Sequence, residues 1–118
     1  MSSLSFRSFL LSLAALALLA SCMDRDPKPK DLIPVKQMQA ILIDMHYADA
    51  YAYQEYRSDS IYRAAAGMYL DIFRKYNVDT GRFNRSFNYY VQHPRVLDRM
   101  YAAMIDTLNA REGRLRTE

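Results

Sequence analysis

Ile61-Tyr62-Arg63-Ala64-Ala65-Ala66-Gly67-Met68-Tyr69-Leu70-Asp71-Ile72-Phe73-Arg74-Lys75-Tyr76 is the stretch on which the fold turns. Ile61, Ala65, Met68, Tyr69, Ile72, Phe73 and Tyr76 recur in steps of four, three and one, which places them on one face of a helix. A half-buried strand needs apolar residues at every second position, and no segment of the chain sustains that alternation. Beside the stripe, Ala64, Gly67 and Asp71 form a strip of small side chains. Glycine inside a helix costs about 1 kcal/mol against alanine, and close approach by another helix is one compensation.

Towards the N-terminus, Arg57–Ser60 breaks the pattern, and Ser58 or Asp59 is suited to cap the helix that follows. An earlier helix is predicted to open near Pro34, a residue compatible with a first turn. Met38, Ile41, Leu42, Met45, Asp49 and Ala52 share one of its faces. Asp49 is the odd member, a carboxylate in the middle of an apolar face. His46 lies one turn before it, within reach, while Asp44 points elsewhere, towards solvent.

Towards the C-terminus, Asn77 can take the left-handed conformation that ends a helix. Asp79 then caps the next one, and Val78 is placed to staple onto Phe83. Phe83, Ser86, Phe87 and Tyr90 share its buried face. Pro94 keeps His93 out of helical geometry and itself opens the last helix. Val96, Leu97, Met100, Tyr101, Met104, Ile105 and Leu108 stripe that helix, and Arg111–Glu118 is charged and expected to fray. Four amphipathic helices with short links predict an all-α fold, a small antiparallel bundle spanning residues 33–112. The other packing compatible with the pattern is a three-helix core with the first helix loosely docked.

The first twenty-one residues read differently. Arg7 is their only charge, and Phe9 to Ala20 is apolar except for Ser12. That run is short for a bilayer span and fits the centre of a secretory signal. Leu18-Leu19-Ala20-Ser21-Cys22 resembles a bacterial lipobox, and the resemblance implies cleavage before Cys22 and acylation of that residue, palmitate included. Cys22 is the sole cysteine, so the lipid would consume it and leave no internal disulfide. Residues 22–32 then form a flexible tether with Pro27 and Pro29, long enough to hold the domain roughly 25–30 Å off the lipid surface.

The whole chain has a formal net charge of +3, and removing residues 1–21 takes away Arg7 and leaves +2. Such a weak basic balance gives no reason to expect nucleic acid as a partner. Scarce glycine and proline, with abundant Ala, Leu, Met, Arg and Tyr, favour helices throughout.

Two blocks of this chain resemble a small lipoprotein family of the Bacteroidota that carries a domain of unknown function. The first comprises Leu32-Ile33-Pro34 and Met38–Ala50, with Ile41-Leu42-Ile43-Asp44-Met45-His46-Tyr47-Ala48-Asp49 at its centre. The second comprises Ile72–Val78, Phe83, Ser86, Tyr89-Tyr90 and His93-Pro94, and Met100-Tyr101 and Leu108 complete it. The chain departs from the family pattern at Asn77, where glycine is usual, at Asp79 for threonine, and at Asp49 for glutamate. Arg82 replaces an acidic residue, so the reciprocal capping box is lost. The resemblance implies a lipid-anchored helical domain and no established reaction; the expected address is the cell envelope, on the outer membrane, with the periplasmic and the surface face both open.

Candidate chemistry rests on few residues. His46 with Asp49 has the composition of a base oriented by a carboxylate, or of two metal ligands. The structural reading is a hydrogen bond that satisfies a buried carboxylate, from His46 or from a tyrosine hydroxyl, and it is the better expectation. His93, the other histidine, sits at a different helix junction. No GxSxG, HExxH or glycine-rich phosphate loop occurs, so neither an enzyme nor a cofactor is expected. Tyr47, Tyr51, Tyr53, Tyr56, Tyr62 and Tyr89 are too many to face one small core, and tyrosine is enriched at interfaces. Tyrosine bodies packed with their hydroxyls at the rim account for them equally well; on the partner reading, Tyr47, Tyr51, Ala64, Gly67 and Tyr89 are the candidate partner surface. The arginines from Arg82 to Arg116 are expected chiefly as a solvated helix face, with anionic headgroups as the sharper alternative. The leading functional expectation is an interaction or scaffold module held to the membrane through acyl chains and docking on another envelope protein. A periplasmic chaperone-like assembly helper and a small hydrolase or metal-binding protein using His46 and Asp49 are the competing readings.

Overall fold

The computed structural model describes residues 7–15 and 27–118, and every regular element among them is a helix. They are α1 (residues 7–15), α2 (Val35–Glu55), α3 (Ile61–Lys75), α4 (Thr80–Val91) and α5 (Pro94–Thr117). Of the segment read as a secretory signal, only α1 is described. Cys22 and the lipobox lie outside the described residues.

Local chemistry accounts for the helix ends. Asn77 has φ 53°, the left-handed value that closes α3. The Val78 amide donates to the Phe73 carbonyl at 2.9 Å and the Asn77 amide to that of Arg74 at 3.1 Å. This is a complete Schellman motif, and its usual apolar contact is present because Phe73 and Val78 are both in the core. Asp79 accepts from the Arg82 amide at 2.8 Å, so the expected cap of α4 forms. The α3 cap falls elsewhere than expected: Ser60 occupies the position, its hydroxyl donating back to the Arg57 carbonyl. The C-terminal end does not fray as expected but stays helical to Thr117, with Glu112 and Arg116 paired one turn apart.

Pairings between helices set the topology. Along α3 the partners run from Tyr69 to Lys75 to Tyr76. Along α2 they run backwards, from Asp49 to Asp44 to Gln37. The two helices are therefore an antiparallel hairpin. The other end of the hairpin is its foot, where Ile33, Met38, Ile41, Phe73, Val78, Phe83, Tyr90 and Met100 form the core cluster. Phe83 packs on Phe73 with ring centroids 4.7 Å apart, while Tyr90 at the other end of α4 bonds Ile33. Both ends of α4 thus lie at the foot, and this helix, about 18 Å long, crosses it.

α5 then starts at the same end as α2 and runs in the same sense. Gln39 donates to the Met100 carbonyl at 3.5 Å, and further along both helices Tyr47 shares a hollow with Arg111 and Leu115. The antiparallel expectation describes α2 with α3 and does not describe α2 with α5. Ile43, one turn beyond Gln39, is buried, whereas the sequence pattern had not marked it. Two neighbours on two sides of α2 demand two apolar faces, and the second is short.

Candidate functional site

His46 and Asp49 do not pair, and the hydrogen bond expected of the carboxylate takes its other form, from a tyrosine hydroxyl. Asp49 is exposed rather than set in a buried face, and it accepts the hydroxyl hydrogen of Tyr69 on α3. His46 is exposed, and no hydrogen bond joins it to Asp49. The hairpin seam passes between Met45 and Ala48, so a residue at position 49 stands at the rim. Burial, then the hydrogen bond to Asp49 and its negative charge, push the Tyr69 hydroxyl up to about 12. Among the described residues no three His, Cys, Asp or Glu side chains are grouped so as to hold a metal ion.

Asp44, expected in solvent, is the better-connected carboxylate. It is half-buried, receives Lys75 Nζ at 2.7 Å and the Tyr76 hydroxyl at 2.9 Å, and so fastens the lower half of α2 to the end of α3. The same carboxylate raises the Lys75 ammonium above its usual value, chiefly through the hydrogen bond, and burial followed by that carboxylate raises Tyr76.

A second polar constellation was missed in the sequence. Residues 31–33, counted there in the tether and the start of the domain, are bolted to α4. Arg82 Nε donates to the Asp31 carbonyl at 2.7 Å, and the Arg85 guanidinium meets the Asp31 carboxylate at 2.5 Å. Ser86 Oγ accepts from the Ile33 amide at 2.9 Å, and the Tyr90 hydroxyl donates to the Ile33 carbonyl at 2.5 Å. Ser86 and Ile33 are both fully buried. An extended peptide has no helical partner for its amides, and α4 supplies side chains in their place. Positions 82, 85, 86 and 90 share one helix face, which is the signal that could have revealed the clamp. The Arg85 hydrogen bond holds the Asp31 carboxyl below its usual value.

The candidate partner surface is divided between two regions. Tyr47 and Tyr51 line a hollow between α2 and α3 with Met68, Asp71 and Ile72. Ala64 lies one helical turn before Met68 on α3, and Gly67 immediately precedes Met68, beside this hollow. A methyl group built on Gly67 would meet nothing within 4 Å, so among the described residues no helix approaches closely at Gly67, contrary to the expected compensation. On the opposite side of the hairpin Tyr53 and Tyr62, 76% and 85% exposed, edge a second hollow with Ile61 and Tyr69. Ala48, Ala52 and Ala65 are the buried residues beneath both. Tyr89 belongs elsewhere: it stacks on His93 at 4.1 Å between ring centroids, at the foot.

Fold and surface together define a small helical domain with a clamped N-terminal entry, a core confined to one end, and an aromatic hairpin projecting from it. More particularly, the chain belongs to the family described as a domain of unknown function, DUF4296, whose model matches residues 29–114. Pro29, where the match begins, accepts the Leu32 amide in a turn. No curated protein and no solved structure matches the chain.

Proposed function

We propose that this protein is a lipid-anchored module of the cell envelope, held through acyl groups on Cys22, which docks on another envelope protein through the tip of the α2–α3 hairpin. It acts by position and contact rather than by catalysis. The observation that carries the reading is the contrast between the two ends of the hairpin. The foot buries large side chains, whereas the tip buries only Ala48, Ala52 and Ala65 and turns Tyr47, Tyr51, Tyr53 and Tyr62 outwards. Tyrosine offers a large contact area with few rotatable bonds to immobilise, which suits a protein interface. Met38 at the foot and Tyr56 at the tip are about 27 Å apart along α2. The foot receives the chain from the anchor, so the tip is held away from the membrane.

The test is photo-crosslinking in intact cells, with a crosslinking amino acid in place of Tyr51 or Tyr62 and, for comparison, Tyr89. The tip positions are expected to yield a discrete adduct with one envelope protein that Tyr89 does not yield. Adducts with no defined protein from either tip position would end the proposal.

A further inference from the structure

The foot carries a second surface, where the chain enters from the anchor side. Lys28 and Lys30 line a hollow with Arg85 and Tyr89. Tyr89 stacks on His93, whose Nδ1 lies 2.6 Å from the Tyr89 carbonyl, and His93 in turn lines a hollow with Arg95 and Arg99. The two hollows are therefore neighbours across one aromatic pair. The carboxylates nearby are Asp31, engaged by Arg85, Asp79, whose charge also acts on Arg85, and Asp98 on α5, while Asp24 and Asp26 flank Arg25 in the sequence before Pro27. They leave Lys28, Lys30, Arg95 and Arg99 with an excess of positive charge.

We propose that this face, Lys28, Lys30, Arg95 and Arg99 around the Tyr89–His93 stack, lies against the anionic phospholipid headgroups of the bilayer that holds the anchor. The proposal rests on the lipid-anchor reading for its geometry. Cys22 is five residues before Pro27, so the acylated sulfur cannot be more than about 18 Å away along the chain. The clamp on Asp31 and Ile33 fixes where the entering chain meets the domain, and that point borders this face. At that separation the local concentration of headgroups is high. Each basic side chain near an anionic surface attracts it within about a Debye length, and tyrosine and histidine rings suit the headgroup layer. Arg111, Arg114 and Arg116, up to about 30 Å further along α5, have no such position.

The experiment uses the full chain, processed in a bacterial envelope, purified in detergent and mixed with vesicles of phosphatidylcholine alone or with phosphatidylglycerol added. Lysine acetylation is followed by mass spectrometry, with Lys75 as the internal reference. Lys28 and Lys30 are expected to react at least about threefold more slowly on the anionic vesicles, with Lys75 unchanged. The protection should vanish in high salt and in the exposed double variant Arg95→Gln, Arg99→Gln, whose helical content is checked by circular dichroism. Flotation separates this proposal from the anchor. Protein that floats on both vesicles yet labels identically overturns the headgroup contact and leaves the anchor standing. Protein that floats only on anionic vesicles overturns the anchor and supports the contact. Protein that floats on neither overturns both.

Discussion

At the scale of single residues, the two hydrogen bonds to Ile33 are the most consequential polar contacts. Ser86→Ala leaves the buried Ile33 amide without an acceptor and should destabilise the domain by about 1–3 kcal/mol, read as a shift in the chemical denaturation midpoint with unchanged slope. His46→Ala, at an exposed position, should move the same midpoint by no more than about 0.5 kcal/mol. A large effect there would mean that His46 has a partner after all. Tyr69 gives a pH signature. Its folded value, about 12, is above the ordinary tyrosine value of 10.0, so the folded state holds the proton more tightly. The associated stability is present below pH 10 and is lost as pH rises from there through about 12. Thermal melts across that window should fall in the wild type and fall less in Tyr69→Phe. Asp31 acts in the opposite direction: its lowered value contributes stability above the ordinary aspartate range that is lost on acidification.

At the scale of elements, α3 is the informative helix. Its stripe reads from sequence without error: Ala65 and Phe73 are buried and Ile61, Met68, Tyr69, Ile72 and Tyr76 half-buried, while Arg63, Arg74 and Lys75 are exposed. All packing on one face is the case in which helical periodicity and burial coincide. α2 has neighbours on two sides, and there the pattern misassigned Asp44, Asp49 and Ile43. Gly67 supplies the test at this scale. Its backbone does not require glycine, and its missing side chain faces open space. Gly67→Ala should therefore raise stability by about 0.5–1 kcal/mol. If the strip is part of the docking surface, the same variant should lose the Tyr51 crosslink while melting at higher temperature. Unchanged crosslinking would remove Gly67 and Ala64 from that surface.

At the scale of the whole molecule, the arrangement is asymmetric. The core sits at the foot, α4 lies across it, and the hairpin and α5 extend from it. The foot is clamped to the entering chain and the tip is not, so the two ends differ in structure. Cys22→Ser should leave the fold intact, since no described core residue lies before Ile33, yet transfer the protein from the membrane fraction to the soluble fraction of the envelope. Two or three acyl chains exceed what one chain supplies by several kcal/mol, so the transfer should be nearly complete. Continued sedimentation with membranes would require a different anchor.

What the order of residues determined alone was everything governed by neighbours a few positions away. The number of helices in the domain, the Asn77–Asp79 turn, the His93–Pro94 corner and the stripe of α3 all follow from local sterics, capping and periodicity. The crossing of α4, the shared sense of α2 and α5, the clamp on Asp31 and Ile33 and the partners of Asp44 and Asp49 were decided only by the tertiary structure. They join groups 20 to 57 residues apart or more, and no local preference chooses among the ways of stacking amphipathic helices. Arg82 is the clearest instance: locally it is a poor choice for the third position of a helix, and only the folded chain brings the Asp31 carbonyl to it.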